Sequence, residues 1–209
     1  MMLLRLKSRK LRFQMIADRA SAALDIAALD GVEGAAAREY FTLLMQFNVS
    51  EMGWPGRVKH PATDPLNALL SLTYTLIMNE LAGLLEAAGL DPFLGFLHQI
   101  DYGRPSLALD LLEPFRHPVA DRLVLMLVNR RMLDASDFSS GGEGHGVFLT
   151  PKSMKRYFAE YERWMLVRVQ NAASFRELLR TEVEKLCSAL RNHSLVLPWH
   201  YREEPEGDA

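Results

Sequence analysis

Four side chains in this 209-residue chain, Glu33, His98, Asp110 and Glu113, could together bind a divalent cation. Asp110 and Glu113 are three residues apart, so both carboxylates would project from one face of a helix. Their neighbours are leucines, and paired carboxylates in apolar surroundings repel each other and favour a bound cation. Carboxylate oxygens with one imidazole suit Mg²⁺ or Mn²⁺, with a slight preference for Mn²⁺. Zinc is less favoured, because the chain has one cysteine and no H-E-x-x-H pair.

Each of these residues, taken alone, also has a simpler interpretation. Glu33 lies in the first turn of a predicted helix, where a carboxylate complements the positive end of the helix dipole. His98 follows an apolar run, and a lone histidine there is more often a hydrogen-bonded core residue than a ligand. The paired acids could form salt bridges with Arg104 or Arg116, or could lie at a solvated edge. Spacing alone leaves these alternatives open.

The elements that must position these side chains are predicted to be helices nearly throughout. Apolar residues recur every three or four positions from Leu66, which indicates one buried helix face. Asp64 before Pro65 supplies an N-cap for that helix, and Gly89 ends it. Ser106 could cap the helix that carries the paired acids. The other predicted helices cover about 12–29, 32–47 after an interruption at Gly31, 107–133 with bends at Pro114 and Pro118, 151–169 and 174–192.

The remaining segments are predicted to be connections and tails. Residues 50–65 form a loop rich in proline and glycine, and 136–146 form a flexible connection, after which 147–149 could pair locally. No run alternates long enough to require a sheet. We therefore predict an all-α fold, a single multi-helix bundle over 1–195 that starts with a basic segment at 1–12. The acidic segment 196–209 is predicted to be a disordered tail.

Composition and charge narrow the functional classes. No stretch approaches the roughly 18 consecutive apolar residues of a membrane span, and the charged N-terminal segment disfavours export, so we expect a cytoplasmic protein. The net charge of −2 does not indicate a nucleic-acid ligand. Two local basic clusters could nevertheless neutralise phosphates, although ordinary solvated helix faces are the simpler interpretation. These clusters are Arg5, Lys7, Arg9, Lys10, Arg12 and Arg19, and then Lys152, Lys155 and Arg156.

Four blocks of sequence, in this order, resemble the catalytic domain of the CRISPR-associated integrase family, the larger of two core subunits that insert spacers into a CRISPR array. The blocks read GVEGAAAREYF from Gly31, DPLNALLSLTY from Asp64, GLDPFLGFLH from Gly89 and SLALDLLEPFR from Ser106. By this resemblance, the family's metal-binding positions fall on Glu33, His98 and Glu113. Asp110 falls on the acidic position beside them. Other recurrent positions, expected to support the scaffold or the ligands, match Arg38, Asn67, Tyr74 and Arg116.

The resemblance implies a metal-dependent DNA integrase and endonuclease that inserts foreign DNA by direct transesterification, without a covalent protein intermediate. It also implies double-stranded or branched DNA as substrate, a homodimer, and a small ferredoxin-like second subunit as partner. Full members of the family carry an N-terminal β-rich domain, which we expect this chain to lack. One alternative is a non-catalytic DNA-binding or assembly subunit with the same fold. If the match were accidental, an unrelated helical phosphohydrolase acting on small phosphoesters would be a third possibility.

Overall fold

The computed structural model describes residues 15–20, 22, 26–58, 61–99, 101–141, 146–169 and 172–194. The chain divides into two compact units, one of Met1–Val49 with Pro55–Arg57 and one of Ser50–Trp54 with Val58–Ala209. In chain order, the elements are α1 (Ile26–Phe47), α2 (Pro65–Ala87), α3 (Ser106–Phe115), a π-helical segment (Arg116–Asp121), α4 (Arg122–Asn129), a 3₁₀ turn (Ala135–Asp137), β1 (Phe138–Ser140), β2 (Val147–Leu149), α5 (Pro151–Met165), β3 (Arg168–Val169), β4 (Ala173–Ser174) and α6 (Phe175–Asn192).

The first unit is built on α1, a helix of 22 residues that runs through Gly31 without a break. The predicted interruption at Gly31 is therefore wrong, because one glycine inside a helix costs only about 1 kcal/mol relative to alanine. Glu33 is consequently the eighth residue of α1, counted from Ile26, and not part of its first turn. This exposed carboxylate is therefore too far from the start of the helix to complement the positive end of its dipole. Residues 15–20 are also helical, within the helix predicted over 12–29.

The second unit is organised around α2, whose predicted ends are confirmed. The Asp64 side chain accepts the backbone N–H of Asn67 at 3.0 Å, and the Asn67 amide donates back to Asp64 at 2.6 Å. The Asn67 amide oxygen also accepts the N–H of Val58 at 3.0 Å, so this buried asparagine holds the preceding loop. At the other end, Gly89 adopts a left-handed φ of 78° two residues after the helix ends.

The apolar residues of α2 form the middle of the core. The helix contacts α3, the π-helical segment, α4, α6 and β2. Its length and composition alone would allow a membrane span, but an apolar core helix passes the same test. We therefore interpret α2 as a core helix. Its fully buried apolar side chains are Leu66, Leu69, Leu70, Ile77, Leu81 and Leu85.

A cluster of charged and phenolic side chains joins three helices of this unit. Arg176 of α6 donates to both carboxylate oxygens of Glu80 on α2, each at 2.9 Å. The same guanidinium donates to Glu162 of α5 at 2.8 Å. Tyr161 of α5 completes the cluster by donating to Glu80 at 2.8 Å. Because paired carboxylates and a guanidinium match each other's geometry, this cluster fixes α2, α5 and α6 together.

The predicted helix over 107–133 is present from α3 to α4. The π-helical segment contains Pro118, whereas Pro114, where a bend was also predicted, lies inside α3. Proline has no N–H, so Pro118 cannot bond the carbonyl four residues earlier, and a π-type turn accommodates that gap. The helix ends at Asn129, earlier than predicted. The cause is Arg131, whose left-handed φ of 54° lets the N–H of Met132 close the end on Leu127 at 2.9 Å.

The strands form two short antiparallel hairpins. In β1–β2, Phe138 pairs with Leu149, which confirms the predicted local pairing of 147–149 and shows that β1 occupies part of the predicted connection. In β3–β4, Arg168 pairs with Ser174, although 168 and 169 were predicted to be helical. The structure is therefore mostly helical, as predicted, with a minor strand component in its described residues.

The loop over 91–99, which carries His98, is fixed on the first turn of α3. The carbonyl of Pro92 accepts the N–H groups of Leu107 at 2.9 Å and Ala108 at 3.4 Å, so it satisfies donors at the helix start. Ser106 is the first helical residue and not the cap, contrary to our expectation. Its hydroxyl donates to the carbonyl of Gln99 at 2.9 Å and so ties the docked loop to the start of the helix.

Gly95 allows the loop to approach α3 this closely. A Cβ atom at this position would lie 2.7 Å from Cβ of Ser106 and 2.9 Å from Oδ2 of Asp110. Contacts this short cannot be accommodated without moving the loop or the helix. The loop that carries His98 therefore requires glycine at residue 95.

We predict that Gly95→Ala lowers the free energy of unfolding by about 1–3 kcal/mol, because the added methyl group overpacks the loop against α3. The matched control is Gly83→Ala on α2, where an added Cβ has nothing within 4 Å. That control should be neutral or stabilising by up to about 1 kcal/mol. Urea unfolding followed by circular dichroism measures both. Equal stabilities of the two variants would contradict the close approach.

Candidate metal centre

The carboxylate of Asp110 organises the loop from inside the protein. Its Oδ2 accepts the backbone N–H groups of Phe96 at 2.6 Å and Leu97 at 3.0 Å. Its Oδ1 accepts the backbone N–H of His98 at 2.8 Å and lies 2.6 Å from Nδ1 of the same residue. The Asp110 side chain is fully buried. One buried carboxylate thus holds three consecutive loop residues and the imidazole.

These contacts keep Asp110 ionised. Burial alone would raise the pKa of its carboxyl group. The hydrogen bonds from the Leu97 and His98 N–H groups, the His98 side chain and the Phe96 N–H outweigh burial, so the pKa lies below its ordinary value. Because an ionised carboxylate only accepts, Nδ1 of His98 carries the proton in this pair and Nε2 is the ring nitrogen that faces away from Asp110. Asp110 is therefore a positioning residue in this structure.

The Nε2 atom of His98 faces Glu113. Nε2 of His98 lies 3.7 Å from Oε1 of Glu113; the two side chains are 15% and 30% exposed, while the Oε1 atom itself is buried. Two ligand atoms bound at right angles to one ion, with bonds of about 2.1 Å, are about 3 Å apart. A wider angle at the ion would allow the observed 3.7 Å, and a small side-chain rotation would shorten that distance to about 3 Å. The pair fits a divalent cation that accepts both nitrogen and oxygen, as Mn²⁺ and Mg²⁺ do.

Glu113 also forms an ion pair within its own helical run. Nη2 of Arg116 lies 2.9 Å from Oε1 of Glu113, which is the salt bridge with Arg116 that the sequence left open. The Arg116 guanidinium lies 5.1 Å above the ring of Tyr74. The Tyr74 hydroxyl in turn donates to Asp121 at 2.5 Å. Tyr74 and Arg116 were expected from the sequence to be supporting residues. Arg116 contacts Glu113 directly, and Tyr74 contacts Arg116.

The structure brings together His98, Asp110 and Glu113, all in the second unit. Glu33 is an exposed residue of α1 in the first unit. Across the described ranges, no group of three or more histidine, cysteine, aspartate or glutamate side chains has the arrangement of a complete metal site. The convergence of Glu33 with His98 and Glu113 therefore stays a prediction.

Sequence reasoning missed two residues of this arrangement, Gly95 and Asp121. Gly95 was part of a quoted block, but its close contact with α3 depends on tertiary packing. Asp121 is 1% exposed and lies in a mainly apolar segment, from Pro118 to Val128, whose other charged residue is Arg122. An acid in such a run needs a donor when buried, and that requirement could have identified it.

Comparison with known proteins shows the family. The family model described as CRISPR associated protein Cas1 matches residues 4–163. A CRISPR-associated endonuclease Cas1 from Thermus thermophilus is 39% identical over 176 residues, which cover 82% of this chain and 52% of that protein. One from Rhodospirillum rubrum is 44% identical over 137 residues, which cover 64% of this chain and 40% of that protein. The chain therefore spans about half the length, or less, of these curated relatives.

Solved structures show the same similarity. A Cas1 protein from Thermotoga maritima superposes with a TM-score of 0.77 at 28% identity, covering 92% of this chain and 59% of that one. A casposase bound to its integration product gives a TM-score of 0.78 at 24% identity, covering 88% of this chain and 53% of that one, which is a likeness of fold. Because the family model matches well over half of its residues, this chain belongs to the Cas1 family of CRISPR-associated proteins.

Proposed function

We propose that this chain provides the helical catalytic domain of a metal-dependent DNA integrase and endonuclease that inserts foreign DNA into a CRISPR array. The observation that carries this proposal is the arrangement of two ligand atoms, Nε2 of His98 and Oε1 of Glu113, 3.7 Å apart on a rigid support. Its relatives are named endonucleases, and a protein of the same fold was solved with an integration product. The third possibility, an unrelated phosphohydrolase, required the sequence match to be accidental. Family membership shows that it is not.

The proposed ligands are His98 and Glu113, with Glu33 added on the strength of the family resemblance, and the proposed ion is Mg²⁺ or Mn²⁺. A divalent ion bound there supplies Lewis-acid stabilisation of the charge that grows on the phosphoryl oxygens. Asp110 supports this arrangement by holding the proton on Nδ1 of His98, so that Nε2 faces Glu113. Such carboxylate–histidine pairs are the usual support of a metal-bound imidazole.

The proposed reaction is a direct exchange of phosphodiesters. The oxygen of a DNA 3′-hydroxyl bonds to a phosphorus atom of the target strand and gives up its proton. The existing P–O bond of that strand breaks, and the leaving oxygen takes up a proton to become a new 3′-hydroxyl. His98 either binds the ion or accepts this proton, since one Nε2 atom serves a single role at a time. No protein side chain forms a covalent bond with DNA in this scheme.

The proposed partners are DNA, a second copy of the chain, and a small ferredoxin-like subunit. A chain of a Cas6-RT-Cas1–Cas2 complex superposes with a TM-score of 0.82 at 25% identity, covering 91% of this chain and 21% of that one, which supports a second subunit as partner. Lys152 and Lys155 are exposed at the start of α5 and are proposed to contact phosphates. Arg156, predicted to act with them, instead bonds to Asp137. The basic residues 5–12, which were also predicted to contact phosphates, lie outside the described residues. We also propose that the protein is located in the cytoplasm.

A second candidate function is a non-catalytic DNA-binding or assembly subunit. The observation that favours it is the 2.9 Å ion pair between Glu113 and Arg116, which a purely structural glutamate would also form. The two functions differ in their products. DNA binding that needs no metal, with no product in Mg²⁺ or Mn²⁺, would support the assembly subunit.

We predict that Glu113→Gln reduces Mn²⁺-dependent processing of branched, integration-type DNA by at least about 100-fold, because the amide is a much weaker ligand than a carboxylate. Gel analysis of end-labelled DNA measures the rate. The matched control is Glu160→Gln on α5, which removes a glutamate that also pairs with the arginine three residues later. A folded Glu113→Gln variant with a rate within twofold of the wild type would remove Glu113 from the site.

We predict that Asp110→Asn weakens Mn²⁺ binding and activity by about 10-fold to 100-fold, because an amide no longer enforces the Nδ1–H tautomer of His98. Nitrogen NMR of the imidazole reports the tautomer directly. The matched control is Asp101→Asn, an exposed carboxylate that accepts one loop N–H, that of Tyr102 at 2.8 Å. An unchanged His98 tautomer with unchanged activity would show that Asp110 does not position the imidazole.

A further inference from the structure

We propose that Arg116 is a resident counter-cation of Glu113, which a divalent ion must displace in order to bind. This inference rests on the proposed metal site at His98 and Glu113. It assigns to Arg116 a role in setting how much divalent ion the site requires. Arg116 acts through Glu113 and is therefore a positioning residue.

The first observation is that one carboxylate oxygen faces two possible partners. Oε1 of Glu113 lies 2.9 Å from Nη2 of Arg116 and 3.7 Å from Nε2 of His98. An ion held between His98 and this oxygen would approach the guanidinium closely. Because like charges repel strongly at such separations, the arginine and the ion compete for Glu113.

The second observation is that Arg116 also contacts the Tyr74 ring, and this contact can persist after the arginine leaves Glu113. Its guanidinium carbon lies 5.1 Å from the centre of the Tyr74 ring, within the range of a cation–π interaction. That ring is fixed, because Tyr74 is buried and its hydroxyl donates to the buried Asp121. The Arg116 side chain is 30% exposed, so the freed guanidinium can turn toward solvent along the ring.

The third observation concerns the backbone that carries the arginine. Arg116 begins the π-helical segment, and Asp121, the acceptor of the Tyr74 hydroxyl, ends it. The π-type turn thus places the arginine and the support of its aromatic partner on one short segment. Segments of this kind inside α-helices are frequent at functional sites.

The exchange has a direct consequence for ion selectivity. Without an ion, the guanidinium offsets the charge of Glu113 beside the buried Asp110 carboxylate. A monovalent cation brings no more charge than the arginine already supplies, whereas a divalent cation does. Removal of the Arg116 charge should therefore tighten the binding of divalent ions.

The test is calorimetric titration of the whole chain with Mn²⁺ alone. Arg116→Gln should bind Mn²⁺ at least about 5-fold more tightly than the wild type, because a competing positive charge is lost. Arg116→Lys, which keeps the charge, should stay within about 2-fold of the wild type. The matched control is Arg163→Gln, since Arg163 also pairs with a glutamate three residues earlier. It should bind as the wild type does.

Every other result counts against the exchange. Weaker binding by Arg116→Gln would mean that the arginine orients Glu113 for the ion, and unchanged binding would mean that the two do not compete. Both results leave the proposed function standing, because the wild type still binds Mn²⁺. Absence of Mn²⁺ binding by the wild type would overturn the exchange and the metal site together.

A measurement on the wild type guards against a variant that fails to fold. Addition of Mg²⁺ should shift the NMR resonance of the Arg116 Nε–H group and speed its exchange with water, because the guanidinium leaves Glu113 and its buried Nε becomes accessible. The resonance of Arg163 should stay unchanged under the same conditions. An Arg116 resonance that is insensitive to a saturating Mg²⁺ concentration would overturn the proposal.

Discussion

The carboxylate of Asp110 accepts three consecutive backbone N–H groups of one loop and lies against the imidazole that ends this run. A buried carboxylate needs hydrogen-bond donors. The backbone N–H groups of the loop in turn need acceptors where the loop packs on α3, and Asp110 supplies them. This interaction sets the position of His98, and thereby the distance between its free nitrogen and Glu113. The close contact at Gly95 and the Pro92 carbonyl support the same geometry.

Around this fixed nitrogen, the second ligand atom is held by a different kind of interaction. Glu113 is partly exposed and shares its oxygen with Arg116, which rests on the Tyr74 ring. A rigid imidazole beside an adjustable carboxylate suits an ion that arrives from solvent. The chain belongs to the Cas1 family, and the proposed metal site rests on that membership and on this geometry.

Much of the scaffold could be predicted from the sequence, because the signals were local. The cap at Asp64, the left-handed Gly89 and the helical periodicity between them each act over a few residues. The helix through Gly31 was not predicted, although one exposed glycine costs a helix only about 1 kcal/mol. The pairing of β3 with β4 was not predicted, because these strands are only two residues long. The spacing of Asp110 and Glu113 correctly placed both acids near His98. Their separate roles depend on a loop that packs on one acid and leaves the other partly exposed.

The central claim is that His98 and Glu113 bind one divalent ion while Asp110 stays behind the imidazole. The most direct measurement is a crystal structure of the chain with Mn²⁺, located by its anomalous scattering. The account predicts an anomalous peak about 2.1–2.3 Å from both Nε2 of His98 and a carboxylate oxygen of Glu113, with Asp110 still bonded to Nδ1. A manganese ion bound directly by Asp110, or located away from His98 and Glu113, would contradict it.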